Sequence, residues 1–133
     1  MRKLVLDTSV LINHWRRCRS GRPLQEISVA EAENWAQRLA DIEHSDALVT
    51  PVVLEFLCGV VDRHEMRLAR AFLRRFRPID SGKTLVSDWR EALRLAERVP
   101  GNRRPRDLGD CLIKAIANRL NHEVRTHDAA FPR

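Results

Sequence analysis

Lys3-Leu4-Val5-Leu6-Asp7-Thr8-Ser9 is the stretch on which the reading of this chain turns. A short apolar run ends abruptly on a carboxylate and two hydroxyls, which reads as a buried strand stopping at a polar turn. A helical pattern follows from Val10 to about Arg17, so the chain opens strand, acid, helix. In a sheet flanked by helices, ligands bind beyond the carboxyl ends of the strands, and Asp7 stands at such an end.

Working outward, the same alternation recurs. Residues 18–27 contain Gly21 and Pro23 and read as a loop. Ser28-Val29-Ala30-Glu31 has the spacing of a capping box and opens a helix that runs to about Glu43. Asp46–Val49 reads as a second strand, and Thr50-Pro51 as an N-cap followed by proline at the first helical position. That helix carries Val52-Val53-Leu54-Glu55-Phe56-Leu57, stops near Gly59, and its apolar character predicts that it is largely buried. A helix over about Asp62–Arg75 has Ala69, Phe72, Leu73 and Phe76 on one face; Arg77–Ile79 is a brief strand. Ser81–Arg98 repeats the helical pattern through Leu85, Trp89, Ala92, Leu93 and Ala96 until Pro100-Gly101 breaks it and a basic loop follows. Leu108–Leu120 is a helix with Leu108, Leu112, Ala115, Ile116 and Leu120 in one stripe; Glu123–Thr126 is the last strand, followed by His127-Asp128. Strands alternating with helices predict an α/β fold with a mostly parallel sheet covered by helices.

The chain of 133 residues fits one domain over 1–133, and its 44% hydrophobic content supplies a core. No apolar run approaches the ~18 residues that span a bilayer. The apolar stretch after Met1-Arg2-Lys3 is cut off at Asp7, too short for the core of a signal peptide, which predicts a cytoplasmic protein. Cys18, Cys58 and Cys111 are odd in number and form no CxxC pair, against a disulfide framework or a zinc site. Twenty-four basic residues oppose 18 acidic ones for a net charge of +6, and all but Lys3, Lys83 and Lys114 are Arg. Clusters at Arg16-Arg17-Arg19-Arg22, Arg74-Arg75-Arg77 and Arg103-Arg104-Arg106 are either solvated surface or grips for a polyanion, since guanidinium binds phosphate through paired hydrogen bonds.

The acids carry the chemistry. Asp7 ends the first strand and either caps the helix after it or faces the edge of the sheet. Asp128 follows the last strand in the equivalent place. Glu55 sits inside an apolar helix, where a carboxylate needs a cation, whether arginine or metal. Asp107 and Asp110 share a face at the start of their helix; Asp107 suits the N-cap and Asp110 points beyond the strand ends. Four acids on one sheet edge repel and raise one another's pKa values. An oxygen-ligated Mg²⁺ or Mn²⁺ removes that conflict and can act on a phosphodiester.

These segments resemble the PIN-domain family and, within it, the toxin nucleases of VapBC toxin–antitoxin pairs. Leu4-Val5-Leu6-Asp7-Thr8-Ser9-Val10-Leu11-Ile12 looks like the opening strand and first acid, and Thr50-Pro51-Val52-Val53-Leu54-Glu55-Phe56 like the second-acid helix. Asp110-Cys111-Leu112-Ile113-Lys114-Ala115-Ile116-Ala117 is similar to the third-acid helix, and Thr126-His127-Asp128-Ala129-Ala130-Phe131 to the fourth-acid turn. The resemblance implies a three-layer fold and a Mg²⁺- or Mn²⁺-dependent endoribonuclease that cleaves RNA by metal-activated water. It also implies a homodimer and a cognate antitoxin that blocks the site. By position, Asp7, Glu55, Asp110 and Asp128 would be the metal and catalytic acids, with Thr8, Ser9 and Asp107 as auxiliaries and Thr126 bracing Asp128. Two departures stand out. Lys114 replaces a small residue, and only five residues follow Asp128, which leaves a four-stranded sheet where many relatives have five strands, or else a shortened chain.

Two other readings compete. An RNA-binding module with a degenerate site is disfavoured because the acid set is complete. A phosphatase of the haloacid dehalogenase type needs a second acid two residues after Asp7, and position 9 is Ser. For the partner, helices at about 29–43 and 51–58 carry Trp35, Leu39, Val53 and Leu57, which either all belong to the core or border a groove for a partner's apolar helix.

Overall fold

The computed structural model describes residues 3–99, 101 and 104–133; Met1, Arg2, the helix breaker Pro100 and Arg103 of the third basic cluster lie outside the described residues. The elements run β1 (Leu4–Leu6), α1 (Thr8–Arg19), a 3₁₀ turn at Leu24–Glu26, α2 (Val29–Glu43), β2 (Ala47–Leu48), α3 (Thr50–Cys58), α4 (Arg63–Leu73), β3 (Arg77–Pro78), α5 (Val86–Ala96), α6 (Leu108–Arg119) and β4 (Glu123–Arg125). This is the expected α/β arrangement of parallel strands and helices in three layers.

The four strands run parallel but make two separate pairs where one four-stranded sheet was expected. β1 lies beside β4 with Leu4, Val5 and Leu6 opposite Glu123, Val124 and Arg125, and β2 lies beside β3. A side chain joins the pairs: the Ser45 hydroxyl donates to Leu4 O at 2.6 Å and accepts from Ala47 N at 3.1 Å. Because β1 and β4 run in the same direction, Asp7 and Asp128 leave the sheet at the same edge, and Asp7 N extends the ladder to Arg125 O at 2.9 Å.

Aromatic rings from four helices lock the core behind that edge. Trp15 meets Trp35, Phe56 and Phe72 edge-on at centroid distances of 5.4, 5.7 and 5.2 Å, and Phe56 stacks on Phe72 at 5.3 Å. Each pair contributes about 0.5–1.5 kcal/mol beyond its buried area, so α1, which follows Asp7, and α3, which bears Glu55, are held at fixed separation. A smaller cluster of Ala92, Leu95, Cys111 and Ala115 joins α5 to α6.

Several boundaries and faces differ from the sequence reading. α1 begins at Thr8, directly after the strand, and extends to Arg19. The capping box at Ser28 and Glu31 forms as expected. Thr50 is the first residue of α3 and not its cap; its amide and hydroxyl are bonded by the buried carboxylate of Asp80, at 2.8 and 2.7 Å. α3 is less buried than its composition predicts, with only Val52 and Phe56 fully covered and Leu54 57% exposed. α5 starts at Val86 because Ser81 and Gly82 adopt φ of 54° and 72°, a left-handed pair that no right-handed helix accommodates. Its buried face is Asp88, Ala92 and Leu95, so Trp89 and Leu93 point outward; Leu108, placed in the core stripe of α6, is also exposed. Of the four candidate groove residues, Trp35 and Leu39 are core, while Val53 and Leu57 are half-buried.

Candidate metal centre

The turn from β1 into α1 brings Asp7 inside, with 2% of its surface exposed. It occupies the N-cap position with extended backbone, but its side chain makes no capping hydrogen bond, so the capping reading fails. Instead Oδ2 accepts from the Ser9 hydroxyl at 2.9 Å and the Thr126 hydroxyl at 2.8 Å. Oδ1 is buried and has no hydrogen-bond partner among the described residues. A buried carboxylate oxygen left bare is costly, of order 1–3 kcal/mol or more for a charged group, and it is the kind of atom a cation satisfies.

Three further acids converge within reach of its charge. One oxygen each from Glu55, Asp107 and Asp110 lie within 4.8 Å of one another. Glu55 comes from the middle of α3, and Thr8 at the start of α1 donates to its Oε1 at 2.8 Å. Asp107 is the N-cap of α6, as expected, and its Oδ1 accepts from Gly109 N at 2.8 Å. Asp110 sits one turn further in and is 7% exposed. Gly109 lies against the Glu55 carboxylate so closely that a Cβ there would fall 2.6 Å from Oε2. The small residue is what lets α6 approach α3.

The electrostatics follow from that crowding. Burial, then the charges of Asp7, Asp107, Asp128 and Glu55, push the Asp110 carboxyl up to about 7. Burial also raises Glu55, opposed by its bond from Thr8 and reinforced by Asp107 and Asp7. Among the described residues no arginine or lysine forms an ion pair with any of these acids. Oxygen donors only, a bare buried carboxylate oxygen and mutual repulsion together fit a hard divalent cation such as Mg²⁺ or Mn²⁺.

The sequence-derived site residues thus fall unequally. Glu55 and Asp110 come together through space with Asp107, expected only as an auxiliary, while Asp7 reaches Glu55 and Asp110 by its charge. Asp128 is on the same edge and acts on Asp110 by its charge, but its Oδ1 accepts from Ala130 N at 2.9 Å and folds back on its own turn. Thr126 bonds Asp7 through its hydroxyl and also accepts from Asp128 N at 3.0 Å, so it ties the first acid to the last. Ser9 completes this knot, accepting from His127 N at 3.0 Å. The sequence reading did not single out Gly109, whose contact with Glu55 comes from another helix.

No helix among the described residues is long and apolar enough to cross a membrane. Among curated proteins, none matches the chain. The PIN domain family matches residues 4–133, nearly the whole length, and its members are generally nucleases that use a divalent metal. The acid-lined edge is where such a metal could sit, and this chain belongs to the PIN domain family.

Proposed function

We propose that this protein is a Mg²⁺- or Mn²⁺-dependent endoribonuclease of the cytoplasm, acting as the toxin of a type II toxin–antitoxin pair. The observation that carries the nuclease reading is the convergence of oxygens of Glu55, Asp107 and Asp110, with the bare, buried Asp7 Oδ1 belonging to a carboxylate whose charge acts on two of them. Asp7, Glu55 and Asp110 would hold the cation, with Asp107 among the same converging oxygens and Asp128 adding negative charge from the same edge. When bound, the cation supplies Lewis-acid polarisation of a phosphoryl oxygen and a nucleophile at neutral pH.

The chain's own groups prepare that chemistry. Ser9 and Thr126 fix Oδ2 of Asp7, which leaves Oδ1 as the one donor it can offer. Thr8 fixes one oxygen of Glu55 in the same way. Burial and the neighbouring acids raise the Asp110 carboxyl to about 7, and a bound cation would favour its ionised form. Arg16 and Arg19 line a cavity of about 230 Å³ with Glu55, where guanidinium groups can receive the neighbouring phosphates of a strand.

The toxin assignment rests on the likeness of the four acid segments to VapBC toxins. The antitoxin would block the acids with an Arg or Lys that takes the cation's electrostatic place. A second copy would cover the exposed stripe of Val86, Trp89 and Leu93 with Leu108 beside it, at 67, 49, 61 and 76% exposure. Cleavage of single-stranded RNA should require added Mg²⁺ or Mn²⁺ and vanish in EDTA. Asp7→Asn and Asp110→Asn should abolish it with an unchanged circular-dichroism spectrum. Full cleavage after thorough chelation, or wild-type rates in both variants, would sink the nuclease reading; failure of any small protein to copurify and neutralise would sink the toxin reading alone.

A further inference from the structure

His127 lies between Thr126 and Asp128, on the edge that carries the acids. Its backbone amide donates to the Ser9 hydroxyl at 3.0 Å, and that hydroxyl donates to Asp7 Oδ2 at 2.9 Å. The imidazole is exposed, yet its orientation is set: Nδ1 lies 2.9 Å from Nδ2 of Asn13, a half-buried residue of α1. An amide nitrogen only donates, so Nδ1 accepts. A neutral imidazole carries one proton, and here it is on Nε2, the ring nitrogen away from Asn13. That proton decides what the ring can do. Nε2–H has no lone pair to offer a cation. A metal-ligating histidine also donates its other N–H to an acceptor, and Asn13 presents a donor instead. His127 is therefore an oriented hydrogen-bond donor beside the acids and not one of the ligands.

We infer that His127 Nε2–H grips a phosphate oxygen of the substrate strand next to the cleavage point, and that Asn13 is the positioning residue that sets the ring's proton and direction. The inference rests on the nuclease reading of the acid edge. A strand with one phosphate at the cation runs past carboxylates that repel its next phosphates. Its hold must come from donors just outside them. Asn13 lies one turn beyond Ser9 on the same face of α1, and the exposed Arg16 and Arg17 follow one turn further. The His127 donor is the inner end of that row, which leads from Asp7 toward the guanidinium groups. A neutral donor also suits the inner place. An arginine there would compete with the cation for the carboxylates, whereas Nε2–H holds a phosphate oxygen without adding charge.

Long-range ¹H–¹⁵N NMR of the full chain at pH 8 reads the tautomer, with the His127 signals identified by their loss in His127→Gln. Wild type should carry the proton on Nε2, and Asn13→Asp, which offers an acceptor, should move it to Nδ1. In cleavage of single-stranded RNA with Mn²⁺, His127→Ala should raise KM about tenfold and leave kcat within roughly twofold, as loss of a bond made equally in ground and transition states does. Asn13→Ala frees the ring without adding charge and should give a smaller rise; His127→Gln keeps an amide donor and should recover part of the loss. Binding of a fluorescein-labelled single-stranded RNA in EDTA should weaken in the same order. That arm separates the two readings: RNA binding that depends on His127 without any cleavage would sink the nuclease and leave the grip. A proton on Nδ1 in the wild type would overturn the inference, as would unchanged KM and RNA affinity in His127→Ala. So would a loss of Mn²⁺ affinity in that variant by isothermal titration, which would make the ring a ligand.

Discussion

Gly109 shows how much of the site depends on a single atom. A methyl group at this position would lie 2.6 Å from Glu55 Oε2 and 3.3 Å from Asp107 Oδ1. The carboxylate is the end of a flexible side chain and can swing away, so the fold survives. Alanine also favours a helix over glycine by about 0.8–1 kcal/mol. Gly109→Ala should therefore melt at the same temperature or higher, while metal affinity and cleavage fall by about tenfold or more. Isothermal titration with Mn²⁺ on the variant decides it; unchanged affinity would mean that Glu55 does not need its present place. At this scale the sequence marked Asp7, Glu55 and Asp110 because each sits at an element's end or in an apolar run. It did not mark Gly109, because what a glycine touches depends on where another helix crosses it.

At the scale of elements, the start of α3 depends on a residue 30 positions away. Asp80 accepts from the amide and the hydroxyl of Thr50, and its Oδ1 also lies 3.3 Å from the donating Gly82 N. With the Asp80 carboxylate 5% exposed, its loss leaves Thr50 without its partner in a half-buried place. Asp80→Ala should cost about 1–3 kcal/mol in urea unfolding, and because α3 carries Glu55, cleavage should fall as well. A shift in midpoint below the error of the measurement would contradict the capping role. A second long-range lock ties the chain's later half: buried Asp88 accepts from Arg119 Nε at 2.7 Å and from Leu85 N at 2.8 Å. Arg119→Ala removes the cation from an otherwise buried carboxylate and should cost about 3–5 kcal/mol in the same assay. Unfolding at the wild-type midpoint would show that the pair is dispensable. Both carboxylates sit beside segments the sequence assigned to helix or turn by pattern alone; their partners could not be read from spacing.

For the whole molecule, the acid group links folding, protons and metal. Asp110 is raised from 3.8 to about 7, so the folded metal-free protein holds its proton more tightly than the unfolded chain does. Its contribution to stability is full below 3.8 and is lost as pH rises through about 7, and Glu55 shifts in the same direction. His14 works oppositely. Burial lowers it from 6.5, so its contribution is present above 6.5 and lost as pH falls through the lowered value. A cation relieves the acids only once they ionise, and it stabilises by RT ln(1 + [L]/Kd), about 2.7 kcal/mol at a hundredfold excess over Kd. The melting-temperature rise on adding Mn²⁺ should therefore be larger at pH 8 than at pH 5.5, and Asp110→Asn should remove most of that difference. An equal rise at both pH values would separate the acids from the metal.

Amino-acid pattern alone determined the order of strands and helices, the capping box at Ser28, the strand-end position of Asp7 and the excess of arginine, because these depend on local periodicity, turn chemistry and composition. Tertiary structure decided the rest. It turned Trp89, Leu93 and Leu108 outward, since the face a helix buries is set by its neighbour and not by its own stripe. It delayed the start of α5 to Val86, since the left-handed Ser81-Gly82 pair lies just upstream. It drew Asp107 in beside Glu55 and Asp110 and folded Asp128 back on its turn, because carboxylate oxygens a few ångströms apart are placed by helix crossings and loop closures that no spacing along the chain encodes.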